Sequence, residues 1–339
     1  MKERINYMDG LKFFAAMWIF ITHFITTHAP SGLLLWRDFP YTLIFKGITG
    51  KLCVSLLGVI LGYLSYIKGT KTEKLGPVII KRYVHFVVMA VVINIFGALK
   101  KGYNFAELKT YFIIAVNSLM LNHELAAIFW CIQSFFLASV ILYILGKYKV
   151  SSFPIILLTI VFFVCDNVWI SVCLMGAVLY RITNYEISSA REKFLSRPWV
   201  QIALFVIAFF AIKRSESSLT FYIQGVCCVF ILIIFSVNKT LKKIFSCKVF
   251  AYLGKQSMGI FLLHSFVYPI ITKYIYSNFP DIPLVSLVAF LVSAIITIGL
   301  SIVVVFIIDK ISAFANWLIF YIWDFCVKAV RRLIPSKSQ

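Results

Sequence analysis

The chain has 339 residues, 61% of them hydrophobic and only 14% charged, with a mean hydropathy of +0.94. A water-soluble domain of that length has no interior large enough for so much apolar side chain, so a bilayer is the natural solvent. The formal net charge of +20 comes from 33 Lys and Arg against 13 Asp and Glu. Those basic residues stand in short segments between apolar runs, which is the pattern of membrane topology and argues against a nucleic-acid partner.

In chain order the apolar runs cover 9–27, 47–67, 83–99, 125–146, 152–165, 168–182, 199–212, 218–237, 249–272 and 283–308. Most approach the ~20 residues that a spanning helix requires. They are continuous, not alternating, which predicts helices and excludes a barrel. The expected fold class is therefore all-α, a polytopic transmembrane bundle of about ten spans. The fifth and sixth runs are short and read together as one broken hairpin. Residues 111–121 are shorter still and read as a re-entrant or interfacial segment. No cleavage site follows the first run, so it is read as a retained span. After the last run, Asn316, Asp324, Lys328 and Arg331 recur at helical spacing against Phe314, Trp317, Leu318, Tyr321 and Phe325. That pattern predicts an amphipathic, interfacial tail over 311–334. No long polar stretch interrupts the chain, so 1–339 is expected to form a single membrane-embedded domain.

Loop charge predicts the orientation. One set of loops carries Lys68, Lys71, Lys74, Lys81 and Arg82; then Lys147 and Lys149; then Arg181, Arg191, Lys193 and Arg197; then Lys239, Lys242, Lys243 and Lys248. The alternate loops are poorer in basic residues, and both ends of the chain are basic. The cell membrane with both termini cytoplasmic satisfies this distribution. The eight cysteines include no Cys-x-x-Cys pair and lie mostly in apolar runs, as buried apolar residues do. The five histidines have no metal-ligand spacing, so no metal is expected.

Ionisable groups within spans are costly and are functional candidates. Lys12 and His23 are eleven residues apart, about 1100° of helix, so they share a face of the first span some 16 Å apart. Lys12 stands near the inner end, where a cation suits a phosphate-bearing cofactor; His23 lies deeper, where an imidazole suits proton transfer from a hydroxyl. The alternative is a snorkelling lysine and a histidine bonded to a neighbouring helix. Asp9 reads as a helix N-cap and a partner for Lys12. Arg82, at the inner mouth of the third span, is a second phosphate partner. Lys255 and Gln256 either contact phosphate or snorkel. Ser257 and His264 are seven residues apart and share a face of the ninth span. His264, at the depth of His23, either lines an acceptor pocket or caps a helix end. His123 and Glu124 precede the fourth span on the outer side and form a further candidate substrate contact.

The segment from Arg4 to His23 resembles the opening of the acyltransferase-3 family, membrane O-acyltransferases that modify bacterial surface glycans. Asp9, Gly10, Leu11, Lys12 and His23 match its Asp-Gly-Leu-Arg (or Lys), ten residues, then His. Tyr252 to His264 resembles its late Leu-Gly-Lys-x-Ser-Tyr…Leu-His segment, with Met258 for the tyrosine. Weaker likenesses lie between: Gly62 and Tyr63 in the second helix, Lys81 and Arg82 at the start of the third, Trp130 in the fourth and Gly176 later. Leu61 stands for an expected serine, His85 for a second arginine and Phe135 for a glutamate. These departures read either as a subgroup with a different acceptor or as a weakened enzyme. The resemblance implies His23 as the catalytic residue and acyl-CoA, acetyl-CoA in the commonest case, as donor. The expected activity is transfer of the acyl group to a hydroxyl of a cell-surface or lipid-linked glycan. A carrier or flippase for an acyl or glycan-lipid substrate, without covalent chemistry, is the alternative from another class.

Overall fold

The structure is a computed structural model and describes residues 6–28, 50–121, 132–186, 193–203, 218–279 and 283–333. No strand occurs among them, and the chain is an all-α bundle. Twelve α-helices carry the description: α1 (Asn6–His28), α2 (Gly50–Thr70), α3 (Leu75–Lys100), α4 (Leu108–Leu119), α5 (Ile132–Lys147), α6 (Ser152–Val164), α7 (Val168–Arg181), α8 (Ser218–Val237), α9 (Lys239–Phe245), α10 (Lys248–Lys255), α11 (Ser257–Asn278) and α12 (Pro283–Leu333). Of these, α1, α2, α3, α8, α11 and α12 are long and apolar enough to cross a membrane, and α4, α5, α6 and α7 are apolar but shorter.

The short pair α6 and α7 is the broken hairpin that the sequence predicts. At 13 and 14 residues each helix is about 20 Å long, less than a bilayer core. The turn between them passes through Asp166 at φ 57°, and the Asn167 N–H donates to the Phe162 carbonyl at 2.8 Å. The predicted segment 111–121 is the twelve-residue α4, held to α3 where Asn94 Nδ2 donates to Ser118 Oγ at 3.0 Å.

Helix α2 is the centre of the bundle and packs on α1, α5, α7 and α8. Lipid gives helices no hydrophobic reason to associate, so close approach has to come from small residues. A Cβ on Gly62 would overlap the Cys173 carbonyl of α7, and one on Gly176 would overlap the Val59 carbonyl of α2. The two backbones meet where both side chains are missing.

Two predicted elements differ from the sequence reading. The run 249–272 is not one span: the helix breaks at Gln256, α10 lies along the start of α1, and α11 packs farther along α1, where His264 meets His23. The final span and the amphipathic tail are one continuous helix, α12, of 51 residues. That is about 76 Å, well beyond a bilayer core. α12 runs antiparallel along α3: His85 faces Asp309, Lys81 Nζ lies 5.6 Å over the Phe320 ring, and Pro77 and Trp323 line one hollow. Trp317, Tyr321 and Trp323 are exposed along this stretch, and such aromatics are enriched in the belts at membrane interfaces. Asp309 stands about two turns before Trp317.

Candidate active site

The two sequence segments that carry the strongest resemblance fold against each other. A Cβ on Gly10 would overlap the Phe245 carbonyl at the end of α9, and one on Gly254 would overlap the Asp9 carbonyl of α1. The glycines therefore let α9 and α10 cradle the first turns of α1. Asp9 lies inside the first turn of α1, not at its cap, and its Oδ1 holds Lys12 Nζ at 2.7 Å. Lys12 and Lys255 are thereby brought to the rim of one cavity.

That cavity measures about 250 Å³ and lies among α1, α2, α3, α5, α10 and α11. Lys12, Lys68, Arg82, His85 and Lys255 stand on its wall, and no Asp or Glu lines it among the described residues. Ser65, Tyr143 and Ser257 add hydroxyls, and Leu57, Leu61, Phe86, Met89, Phe135 and Phe261 close its apolar part. Arg82 is the most deeply committed cation. Its guanidinium stacks 4.7 Å from the Phe86 ring, Nη2 reaches Ser139 Oγ only at 3.5 Å, and buried Nε has no acceptor among the described residues. Lys68 Nζ lies 5.6 Å over the Tyr143 ring. Lys12 is paired with Asp9, and His85 faces Asp309. No carboxylate on the cavity wall answers Lys68, Arg82 or Lys255 among the described residues. Cations so gathered at a low-dielectric site favour an anionic ligand.

His23 is not on that wall. Its exposed ring lies 5.2 Å from the ring of His264, centroid to centroid, at 36°. His264 is only 2% exposed, enclosed by Phe20 at 6.5 Å, Phe261 at 6.0 Å and Tyr268 at 6.1 Å. Its Nδ1 is 3.3 Å from the Ile260 carbonyl oxygen. A carbonyl only accepts, so this contact places a proton on Nδ1 and leaves Nε2 as an acceptor. Phe261 belongs both to the cavity wall and to the surroundings of His264, and so joins the two compartments.

The structure thus brings Lys12, Arg82 and Ser257 into one cavity and His23 and His264 into a second cluster beyond it. Glu124, His123 and Trp130 lie outside the described residues. Lys68, Tyr143 and Asp309 are site residues that sequence reasoning missed. Lys68 and Tyr143 needed the α2–α5 contact, whereas Asp309 was legible in principle: the aromatics at 317–323, of a kind enriched at membrane interfaces, come after it. The four departures noted above, Leu61, His85, Phe135 and Met258, all line this same cavity.

Neither a curated protein nor a solved structure matches the chain. The acyltransferase-domain family model matches residues 5–306, which takes in the α1 segment, the cavity and the α10–α11 segment. That match extends over most of the sequence, and the chain belongs to the acyltransferase-3 family.

Proposed function

We propose that this membrane acyltransferase takes an acyl group, acetyl in the simplest case, from acyl-CoA and places it on a hydroxyl of a cell-surface or lipid-linked glycan. The observation that supports this most is a cavity with five basic side chains and, among the described residues, no Asp or Glu on its wall, with a histidine pair beyond its apolar end. Lys12 and Arg82 hold the donor phosphates, with Lys68 and Lys255 adding charge. The thioester reaches past Phe261 towards His23. As the acceptor oxygen attacks the thioester carbonyl carbon, its proton passes to a ring nitrogen of His23. The carbon–sulfur bond then breaks, and the proton returns to the leaving sulfur, giving an ester and free CoA thiol. His264, beside His23, faces the acceptor path, whereas Ser257 lines the donor cavity.

Purified protein in lipid nanodiscs, given labelled acetyl-CoA and envelope glycan, is expected to release CoA thiol and label the glycan in equal amounts. Movement of glycan-lipid without thiol release would instead support a carrier.

The same reading places the protein in the cell membrane with its basic loops on the cytoplasmic side. Cys165, in the α6–α7 turn, and Cys247, before α10, are both exposed. A membrane-impermeant maleimide is expected to label Cys165 in intact cells and Cys247 only in inverted vesicles. The reverse pattern would overturn the orientation.

A further inference from the structure

A hollow of about 250 Å³ lies at the far end of the α3–α12 contact and shares no lining residue with the cationic cavity. Gly76, Pro77 and Ile80 of α3 and Ile319, Phe320 and Trp323 of α12 wall it. The indole N–H of Trp323 is the one polar side-chain group among the six. Ile80, Ile319 and Trp323 are exposed. A Cβ on Gly76 would meet nothing within 4 Å, so the hollow is open at that side. Its level is that of a membrane interface. The polar turn from Lys71 to Lys74 ends where α3 begins, and the Asp324–Lys328 ion pair follows Trp323 on α12. Tryptophan next to charge is the composition of that zone.

Charge around this hollow is unbalanced. Residues 71–81 carry Lys71, Lys74 and Lys81 against Glu73, and all four are exposed. On the facing stretch 319–328 of α12 the single carboxylate, Asp324, is already held by Lys328 Nζ at 2.6 Å. Lys81 Nζ lies 5.6 Å over the Phe320 ring, so one cation stands at the edge of the hollow itself. Lys74 and Lys81 are seven residues apart, about two helical turns, and bracket Pro77. The walls and the lysines together select the occupant. A sugar or a nucleotide base would give up hydrogen bonds here and regain few. A second helix, about 10–12 Å across, does not fit the volume. The hollow is smaller than the ~300–1,000 Å³ of most small-molecule sites, so it takes part of one chain. An aliphatic chain gains contact with every wall. Joined to an anionic head group, the chain also answers the lysines, which a zwitterionic lipid does not.

We propose that an anionic phospholipid of the membrane binds between α3 and α12, with part of an acyl chain in this hollow and its phosphate held by Lys74 and Lys81. Such a lipid ties the start of α3, which also carries Arg82 and His85, to α12. The site stands apart from the cavity and holds whether or not that cavity takes acyl-CoA. Trp323 is the reporter, because bromine on a lipid chain quenches indole fluorescence on contact. The full chain is placed in phosphatidylcholine nanodiscs containing a rising share of chain-brominated phosphatidylglycerol or, in parallel, of chain-brominated phosphatidylcholine. The Trp323 signal is the difference between each protein and its Trp323→Phe counterpart. Half-quenching by the phosphatidylglycerol is expected at about a fifth, or less, of the mole fraction that the phosphatidylcholine requires. Lys74→Gln with Lys81→Gln should bring the two lipids together. Gly76→Phe places a ring in the open side of the hollow and should weaken quenching by both. Equal mole fractions in the unmodified protein would mean bulk bilayer lipid only and overturn the proposal. A preference that survives both the lysine pair and Gly76→Phe would put the anionic lipid elsewhere and overturn it as well. Absence of Trp323 quenching by either lipid would mean that protein, a second copy included, covers the hollow, and would end the proposal too.

Discussion

Replacing His23 with alanine is expected to lower the rate of acyl transfer by roughly 10² to 10⁴ while leaving donor affinity within about twofold. The division between rate and affinity follows from placement. His23 lies beyond the wall of the cavity that holds the basic cluster, so its loss removes no contact to the donor's phosphates. It is exposed, so its loss also leaves no core cavity and folding should be preserved. His264 behaves differently because it is buried among Phe20, Phe261 and Tyr268. His264→Ala should both slow transfer and destabilise the bundle, as large-to-small core changes do. His264→Phe fills the space without ring nitrogens. It should therefore separate the two effects, recovering stability but not rate. Initial rates of CoA thiol release in the presence of acceptor, with acyl-CoA binding measured on the same preparations, check all three variants. A His23→Ala protein that keeps more than about a tenth of the normal turnover would remove His23 from the chemistry.

The depth of each polar group along its own helix was legible from the sequence, because rise and periodicity are properties of one helix. Lys12 and His23 were expected one below the other on α1, and Ser257 and His264 likewise on α11. What a single helix cannot disclose is which neighbour meets each level. Lys12 meets α2, α3, α5 and α10 around a cavity, whereas His23 meets α11 at His264. The break at Gln256 was hidden for a related reason. Residues 249–272 are apolar enough to read as one span, and only the contact of Gly254 with the Asp9 backbone requires α10 to lie along α1. Resemblance picked out each of these two segments singly; that they fold against each other is seen only in the overlap that a side chain at Gly254 would make with the Asp9 carbonyl. Asp309 was missed because the last span was ended at its charge. The helix continues through that charge, and His85 on α3 faces it. Departures from a family pattern were legible one at a time, but their meeting at one cavity needed the packing of α2, α3, α5 and α11.

Removing Arg82 should act in opposite directions on function and on stability, which distinguishes a ligand-binding residue from a structural one. Its guanidinium has Nε buried without an acceptor among the described residues and a long 3.5 Å contact to Ser139 Oγ. A buried donor left unpaired costs about 1 kcal/mol or more, which an anionic ligand would offset on binding. Arg82→Met retains an apolar stem against Phe86 and discards the charge. It is expected to raise KM for the acyl-CoA donor about 10- to 100-fold with little change in kcat, the size of lost charge-assisted hydrogen bonds. Without donor, the variant should melt at a higher temperature than the unmodified protein, because the unpaired group has gone. With saturating acyl-CoA, the unmodified protein should gain in melting temperature and the variant should gain much less. Arg82→Lys keeps the charge but not the planar fork, so it should recover only part of the affinity. Thermal melts of the three proteins with and without donor, set beside their KM values, give the answer. A lowered donor-free melting temperature together with an unaltered KM would make Arg82 a packing residue and leave the donor phosphates to the lysines.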